Sequence, residues 1–437
     1  MTISDDPACL TASEAAIEIV ACRLKPSELM AATLERAAKL DPAVKAYVHL
    51  DPEAAMTAAR ELGPPGRLLH GLPVAVKDMI DTADMPTQQN SPIYQGHRPS
   101  KDAAVVAITR AQGGVIIGKT DTHEFAAGGQ LPKTTNPHDK HHTAGGSSSG
   151  SAAAVASGTA ALAFGTQTGG STLRPASFCG IFGMKPTFGL VSREGAKLYS
   201  ISLDTIGWYG RSVADLALMA KAQRAIRRPL QLNSSVKGKR FGIYQMPGSK
   251  RAEPEAVAAL ASTANQLSNA GASVIELILP REFSNLAKMQ LTIMKGEGRA
   301  AFLDDYLQHY DLLAQDFRDR VEDADNISFI DLRTAQDHVA QCRATFDRLT
   351  IEFSAIIAIG APGEAPRDLT TTGDAFFQRM WTVLQVPTVG LPGFSGASGM
   401  PIGVQLIGPR YEDAALLETA HAVSHAIETP RVSPVPV

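Results

Sequence analysis

Between residues 143 and 190 the chain almost abandons large side chains. The run begins TAGGSSSGSAAAVASGTAALAFGTQTGGS and is dominated by Gly, Ser, Ala and Thr. A stretch of that composition can pack backbone close to backbone, or let a ligand approach the backbone closely. The alternative is a flexible linker. Val155, Leu162, Phe164, Leu173, Phe178, Ile181 and Phe182 are spread through it, and a linker has no need of them.

Around this segment the pattern alternates between strand and helix. Residues 1–62 read as an outer helical layer. Thr11 and Glu14 form a capping box ahead of one helix, Ser27 starts a second, and Asp51-Pro52-Glu53 opens a third. Short apolar runs at 72–76, 115–118, 241–244, 273–277, 355–359 and 403–408 read as strands. Helical patterns fall at 103–112, at 252–270 and from Asp413 onward. This alternation predicts an α/β fold with one domain over residues 1–437, its core spanning 63–437. Residues 282–345, with helical patterns at 317–321 and 332–344, are expected to form a helical lid or a wall of the cleft.

Several functions are disfavoured by composition. Of the residues, 44% are hydrophobic and 19% charged, with 41 basic against 44 acidic side chains. A nucleic-acid or anionic-membrane partner would need a clustered basic face. Cys9, Cys22, Cys179 and Cys342 are scattered without a CxxC pair, so neither a zinc site nor a redox motif is expected. The opening MTISDDPACL has no apolar signal core, and the apolar run 152–164 is broken by Gly158. A cytoplasmic protein is the expectation. His138, His141 and His142 cluster before Gly145, but no HExxH pattern accompanies them and they read as a surface loop. Neither Gly-rich loop is followed by Lys-Ser/Thr, as a phosphate-binding P-loop requires.

Three positions could carry chemistry: Lys77 at the end of an apolar strand, Ser147 after Gly145-Gly146, and Ser171 after Gly169-Gly170. A serine hydroxyl needs a base before it attacks. A lysine serves when burial lowers its pKa, and is otherwise a surface charge at a strand end. Successive glycines let consecutive N–H groups face one point, a nest that can hold an oxyanion.

Together these segments resemble the amidase signature family. The runs that carry the resemblance are GLPVAVKDMIDT (71–82), GGVIIGKTDTHEFA (113–126), TNPHDKHHTAGGSSSGSAAAVASG (135–158), GTQTGGSTLRPASFCGIFGMKPTFG (165–189), LDTIGWYGRSV (203–213) and MPIGVQLIG (400–408). The resemblance implies a large mixed β-sheet covered by helices on both faces. It implies a serine hydrolase with nucleophile Ser171, proton relay Ser147 on a cis peptide bond, and general base Lys77. The N–H groups of Thr168, Gly169, Gly170 and Ser171 would form the oxyanion hole. It implies no metal and no organic cofactor. The substrate is expected to be a small amide or carbamate, cut at a C–N bond without nucleic-acid or membrane partners, by a chain that acts as a homodimer. The other reading is the glutamine-hydrolysing A-type subunit of an amidotransferase, acting only in a complex.

Two departures stand out. Gln167 replaces the acid that most members carry before the Gly-Gly-Ser, and Arg174 sits three places after Ser171 rather than two. Both resemble malonamidases, whose substrate bears a free carboxylate. Arg174 would then bind that carboxylate, or else be structural. Tyr199, Trp208 and Tyr209 fall near the expected cleft, where they would either contact an aryl substrate or belong to the core.

Overall fold

The computed structural model describes residues 6–246, 251–429 and 431–436. Among these, eleven strands form one sheet. In chain order they are β1 (Tyr47–Leu50), β2 (Pro73–Lys77), β3 (Val115–Thr120), β4 (Leu162–Gln167), β5 (Phe182–Lys185), β6 (Thr205–Gly210), β7 (Arg240–Ile243), β8 (Ser273–Glu276), β9 (Ala355–Ile359), β10 (Thr388–Ser395) and β11 (Pro401–Ile407). Their spatial order is β1-β3-β2-β4-β6-β5-β10-β11-β9-β7-β8, with parallel and antiparallel pairs mixed.

Strand alternation separates two cores. Leu162 and Phe164 of β4 join the large apolar cluster with Trp208, Phe182 and Met184, while the intervening Ala163 joins a second cluster. That second cluster is made largely by Ala152–Ala156 of a helix over Ser149–Ala156. On the other side the helix Val213–Ala222 contributes Val213, Leu216 and Ala220. Both faces are therefore covered, because each strand presents alternate side chains to opposite faces. This is the large mixed α/β sheet that the sequence led us to expect.

Two helix signals near the N-terminus stand where expected: Thr11 and Glu14 make a reciprocal capping box, and the Asp51 side chain caps Ala54 N–H. The second helix, Pro26–Val44, begins ahead of Ser27, with Lys25 at its N-cap. One element there is different. Residues 47–50 are not part of a helical layer but form β1, the sheet's edge, antiparallel to β3. Gly118 makes this pairing sterically accessible, since a Cβ there would lie 2.5 Å from the His49 carbonyl. Strands β4, β5, β6 and β10 also went unread, because Ala, Gly and polar residues hide their periodicity.

Strand β2 runs parallel to both β3 and β4. The C-terminal residues of β2 and β4, Lys77 and Gln167, therefore emerge at the same edge of the sheet, where ligands of α/β sheets commonly bind. Two later helices close over this edge, α-helix Leu286–Ala301 and α-helix Phe376–Val383, which pack on one another. No helix among the described residues is long and apolar enough to cross a membrane.

Candidate active site

Lys77 ends β2 with no exposure to solvent. Its Nζ lies 2.7 Å from Ser147 Oγ and 2.8 Å from Thr166 Oγ1. Burial holds its pKa well below the ordinary lysine value, and Arg174 pushes the same way while Asp204 opposes. Ser147 follows a cis Gly146–Ser147 peptide bond and sits just ahead of the helix Ser149–Ala156. Ser147 and Ser171 both line a cleft of about 150 Å³, together with Thr168, Gly169, Gly170 and Arg174.

The turn from β4 to Ser171 has a one-sided hydrogen-bond pattern. Its carbonyls are all taken: Thr168 by Gln290 Nε2, Gly169 by Thr382 Oγ1, Gly170 by Arg174 N–H, and Ser171 by Ser148 N–H and Tyr209 Oη. The N–H groups of Gly169, Gly170 and Ser171 donate to no acceptor among the described residues. Free N–H groups at successive residues make a concavity suited to an anion.

Arg174 is 4% exposed and lines the cleft. Its Nε donates to the Thr372 carbonyl at 2.7 Å and its Nη2 to the Gly146 carbonyl, while Nη1 has no partner among the described residues. Burial lowers its pKa to about 10, Asp374 opposing. Tyr199 also lines the cleft, with the Arg320 guanidinium 5.1 Å from its ring centre. Burial raises its pKa.

Three residues expected near a substrate are placed elsewhere. Gln167 is wholly buried beneath the turn, where its Oε1 accepts from Thr172 and Leu173 N–H at 3.0 and 3.1 Å. Its amide serves backbone rather than ligand. Trp208 lies in the large core, its indole N–H donating to the Leu216 carbonyl at 3.1 Å. Tyr209 faces the opposite core and reaches the site only through its hydroxyl. Adjacent residues on a strand point to opposite faces, so Trp208 and Tyr209 could not share one pocket.

The sequence reading missed His123, Gln290, Met294, Thr372 and Arg379, all of which line the cleft. His123 stands inside the run 113–126, one of those that carry the family resemblance. Desolvation lowers its pKa to about 4, so it is neutral at physiological pH. The others come from stretches without a motif. Gln290 and Met294 belong to the region 282–345, which therefore forms part of the cleft wall. Among the described residues no group of three His, Cys, Asp or Glu side chains is placed to hold a metal ion. His138 and His142 instead bond the Cys179 carbonyl and Asp139.

Comparison with known proteins gives a consistent picture. Residues 28–417 match the family described as Amidase. The A component of the glutamyl-tRNA(Gln) amidotransferase of Microcystis aeruginosa is 31% identical, with 92% of this chain and 94% of that protein covered. The protein of the same name from Chloroflexus aggregans is 33% identical, covering 94% and 95%. Among solved structures, the native peptide amidase from Stenotrophomonas maltophilia has a TM-score of 0.80 at 28% identity, over 97% of this chain and 98% of that one.

Proposed function

The chain belongs to the amidase family, and on that premise we propose that it hydrolyses the C–N bond of a small amide through an acyl-enzyme on Ser171. One observation carries this reading: a wholly buried lysine holds Nζ 2.7 Å from Ser147 Oγ, beside a cleft that Ser147 and Ser171 both line. Desolvation makes the neutral amine of Lys77 available at lower pH than in a solvated lysine. Lys77 accepts the Ser147 proton as Ser147 accepts that of Ser171, and Ser171 Oγ attacks the carbonyl carbon. The oxyanion takes the free N–H groups of Gly169, Gly170 and Ser171, with that of Thr168 beside them. The proton returns along the same relay to the leaving nitrogen, and water then repeats the cycle on the ester.

The cleft supports a small anionic amide. Its lining includes Arg174 and Arg379 and no acidic residue. Arg174 Nη1 is a buried donor without a partner among the described residues, a costly arrangement that a substrate carboxylate would relieve. This agrees with the malonamidase-like position of Arg174, although the relatives from Microcystis and Chloroflexus are amidotransferase components. They favour a second reading, in which the chain hydrolyses glutamine and works only with partners.

Product release from malonamate, an aryl amide and an aryl carbamate, by wild type and Ser171→Ala, separates these readings. Serine-dependent ammonia release from malonamate alone is the expected result. Aryl amine release instead makes Arg174 structural and extends the activity to aryl amides or urethanes. Silence toward all three, with glutamine hydrolysis only when partner chains are added, replaces the first reading by the second.

A further inference from the structure

We propose that Gln290 and Thr382 are positioning residues that set the oxyanion hole of this site. The proposal rests on the hydrolase reading above. In a planar trans peptide the C=O of one residue and the N–H of the next point in opposite directions. A donor that holds a carbonyl therefore aims the following N–H away from itself. Gln290 Nε2 donates to the Thr168 carbonyl at 2.8 Å, which orients the N–H of Gly169. Thr382 Oγ1 donates to the Gly169 carbonyl at 2.6 Å, which orients the N–H of Gly170.

The clamp is itself held. Gln167 Nε2 donates to Thr382 Oγ1 at 2.9 Å, so the threonine proton is left for the Gly169 carbonyl, with the Gln378 carbonyl further away at 3.2 Å. The same Gln167 fixes Thr172 and Leu173 N–H on the far side of Ser171. Both clamps are closed to solvent, at 0% exposure for Gln290 and 1% for Thr382. They are needed because Gly169 and Gly170 have no side chains to restrict their own peptide planes, and glycine turns over readily. Helices Leu286–Ala301 and Phe376–Val383 thus shape a hole whose backbone lies more than a hundred residues earlier in the chain.

The test uses Thr382→Val and Gln290→Met, which keep volume and remove the donor. Each is assayed on whichever substrate of the panel the wild type turns over. Losing a whole oxyanion donor costs about 10²–10³ in kcat, so a loosened one is expected to cost roughly ten- to a hundredfold, with KM little changed. A trifluoromethyl ketone analogue, which adds Ser171 Oγ to its carbonyl carbon and leaves an oxyanion in the hole, should weaken by the same factor. An unreactive analogue of the same substrate should bind as before. Thr382→Ser, which keeps the hydroxyl, should recover most of the loss. If Thr382→Val does not fold, Gln290→Met decides alone. Wild-type kcat and ketone affinity in the variants, with Ser171→Ala inactive, overturn the clamp and leave the hydrolase reading standing. Parallel weakening of KM and both inhibitors also overturns it. Turnover by Ser171→Ala removes the hydrolase reading itself.

Discussion

Lys77 meets two hydroxyls and no carboxylate within hydrogen-bond reach. Asp204 favours its charged form only in part, and desolvation dominates its titration. Two outcomes follow at this scale. Replacing Ser171 by Ala should lower kcat by about 10⁶-fold, and Lys77→Met by roughly 10²–10⁴-fold. Wild-type kcat/KM should climb with pH as Lys77 loses its proton, and a flat profile between about pH 5 and 9, a window spanning the ordinary His and lower Lys range, would count against a lysine base. The effect of pH on stability runs in the same direction as that on activity. The folded pKa is depressed, so below the unfolded value near about 10.4 the unfolded chain binds the extra proton, and stability from this group rises with pH. Lys77→Met should therefore melt no lower than wild type at pH 7, with any advantage shrinking toward alkaline pH. A clear loss of melting temperature in the variant at pH 7 would contradict this account. At the residue scale Ser147, Ser171 and Lys77 were singled out by their local settings, but only the resemblance to a family gave them roles. For Trp208 and Tyr209 the sequence left substrate contact and core both open, because proximity to a motif says nothing about which face of a strand a side chain takes, and the structure places them in the core.

At the scale of elements, the turn after β4 is built around one amide. Gln167 receives two backbone N–H groups and gives one hydrogen bond to Thr382. Gln167→Met keeps the volume and leaves both N–H groups buried without an acceptor. At about 1–3 kcal/mol for each orphaned group, denaturant unfolding should show a loss of roughly 2–6 kcal/mol. An unchanged midpoint would mean the turn holds its shape without this side chain. The alanine-rich helix Ser149–Ala156 is constrained in another way. A Cβ at Gly150 would lie 2.1 Å from the Ala46 carbonyl, so the helix backbone sits directly against the chain entering β1. That contact accounts for the small residues of the segment 143–190, whose close packing the composition foretold. The strands within it were hidden for the same reason: residues small enough to pack so closely carry little strand signal.

Over the whole molecule, distant segments are tied to the core by a few buried polar contacts. Asp305, 1% exposed in the helix Leu303–Gln308, accepts from Lys197 Nζ and from Tyr94 Oη. Lys197 lies within 6.0 Å of the rings of Tyr94, Phe125 and Phe302. Lys197→Met would leave the carboxylate with only the tyrosine, and breaking a buried pair of this kind costs roughly 3–5 kcal/mol. Because the helix Leu303–Gln308 also meets Phe317 through the Phe302 ring, limited proteolysis within 302–325 should accelerate in this variant. Unchanged cleavage there would show that apolar packing alone holds the segment. Surface pairs such as Lys101–Glu194 are expected to matter far less, since solvent screens them.

The sequence by itself determined the alternation of strand and helix, the two serines with their glycines, and the small-residue segment that lets backbones meet. Each of these is written in neighbouring residues. Only the tertiary structure decided that Lys77 is buried without a partner acid, that Arg174 keeps one nitrogen free, that Trp208 belongs to the core, and that Gln290 and Thr382 grip the turn before Ser171. Burial and hydrogen-bond partnership are properties of contacts between residues far apart in the chain, and no local pattern encodes them.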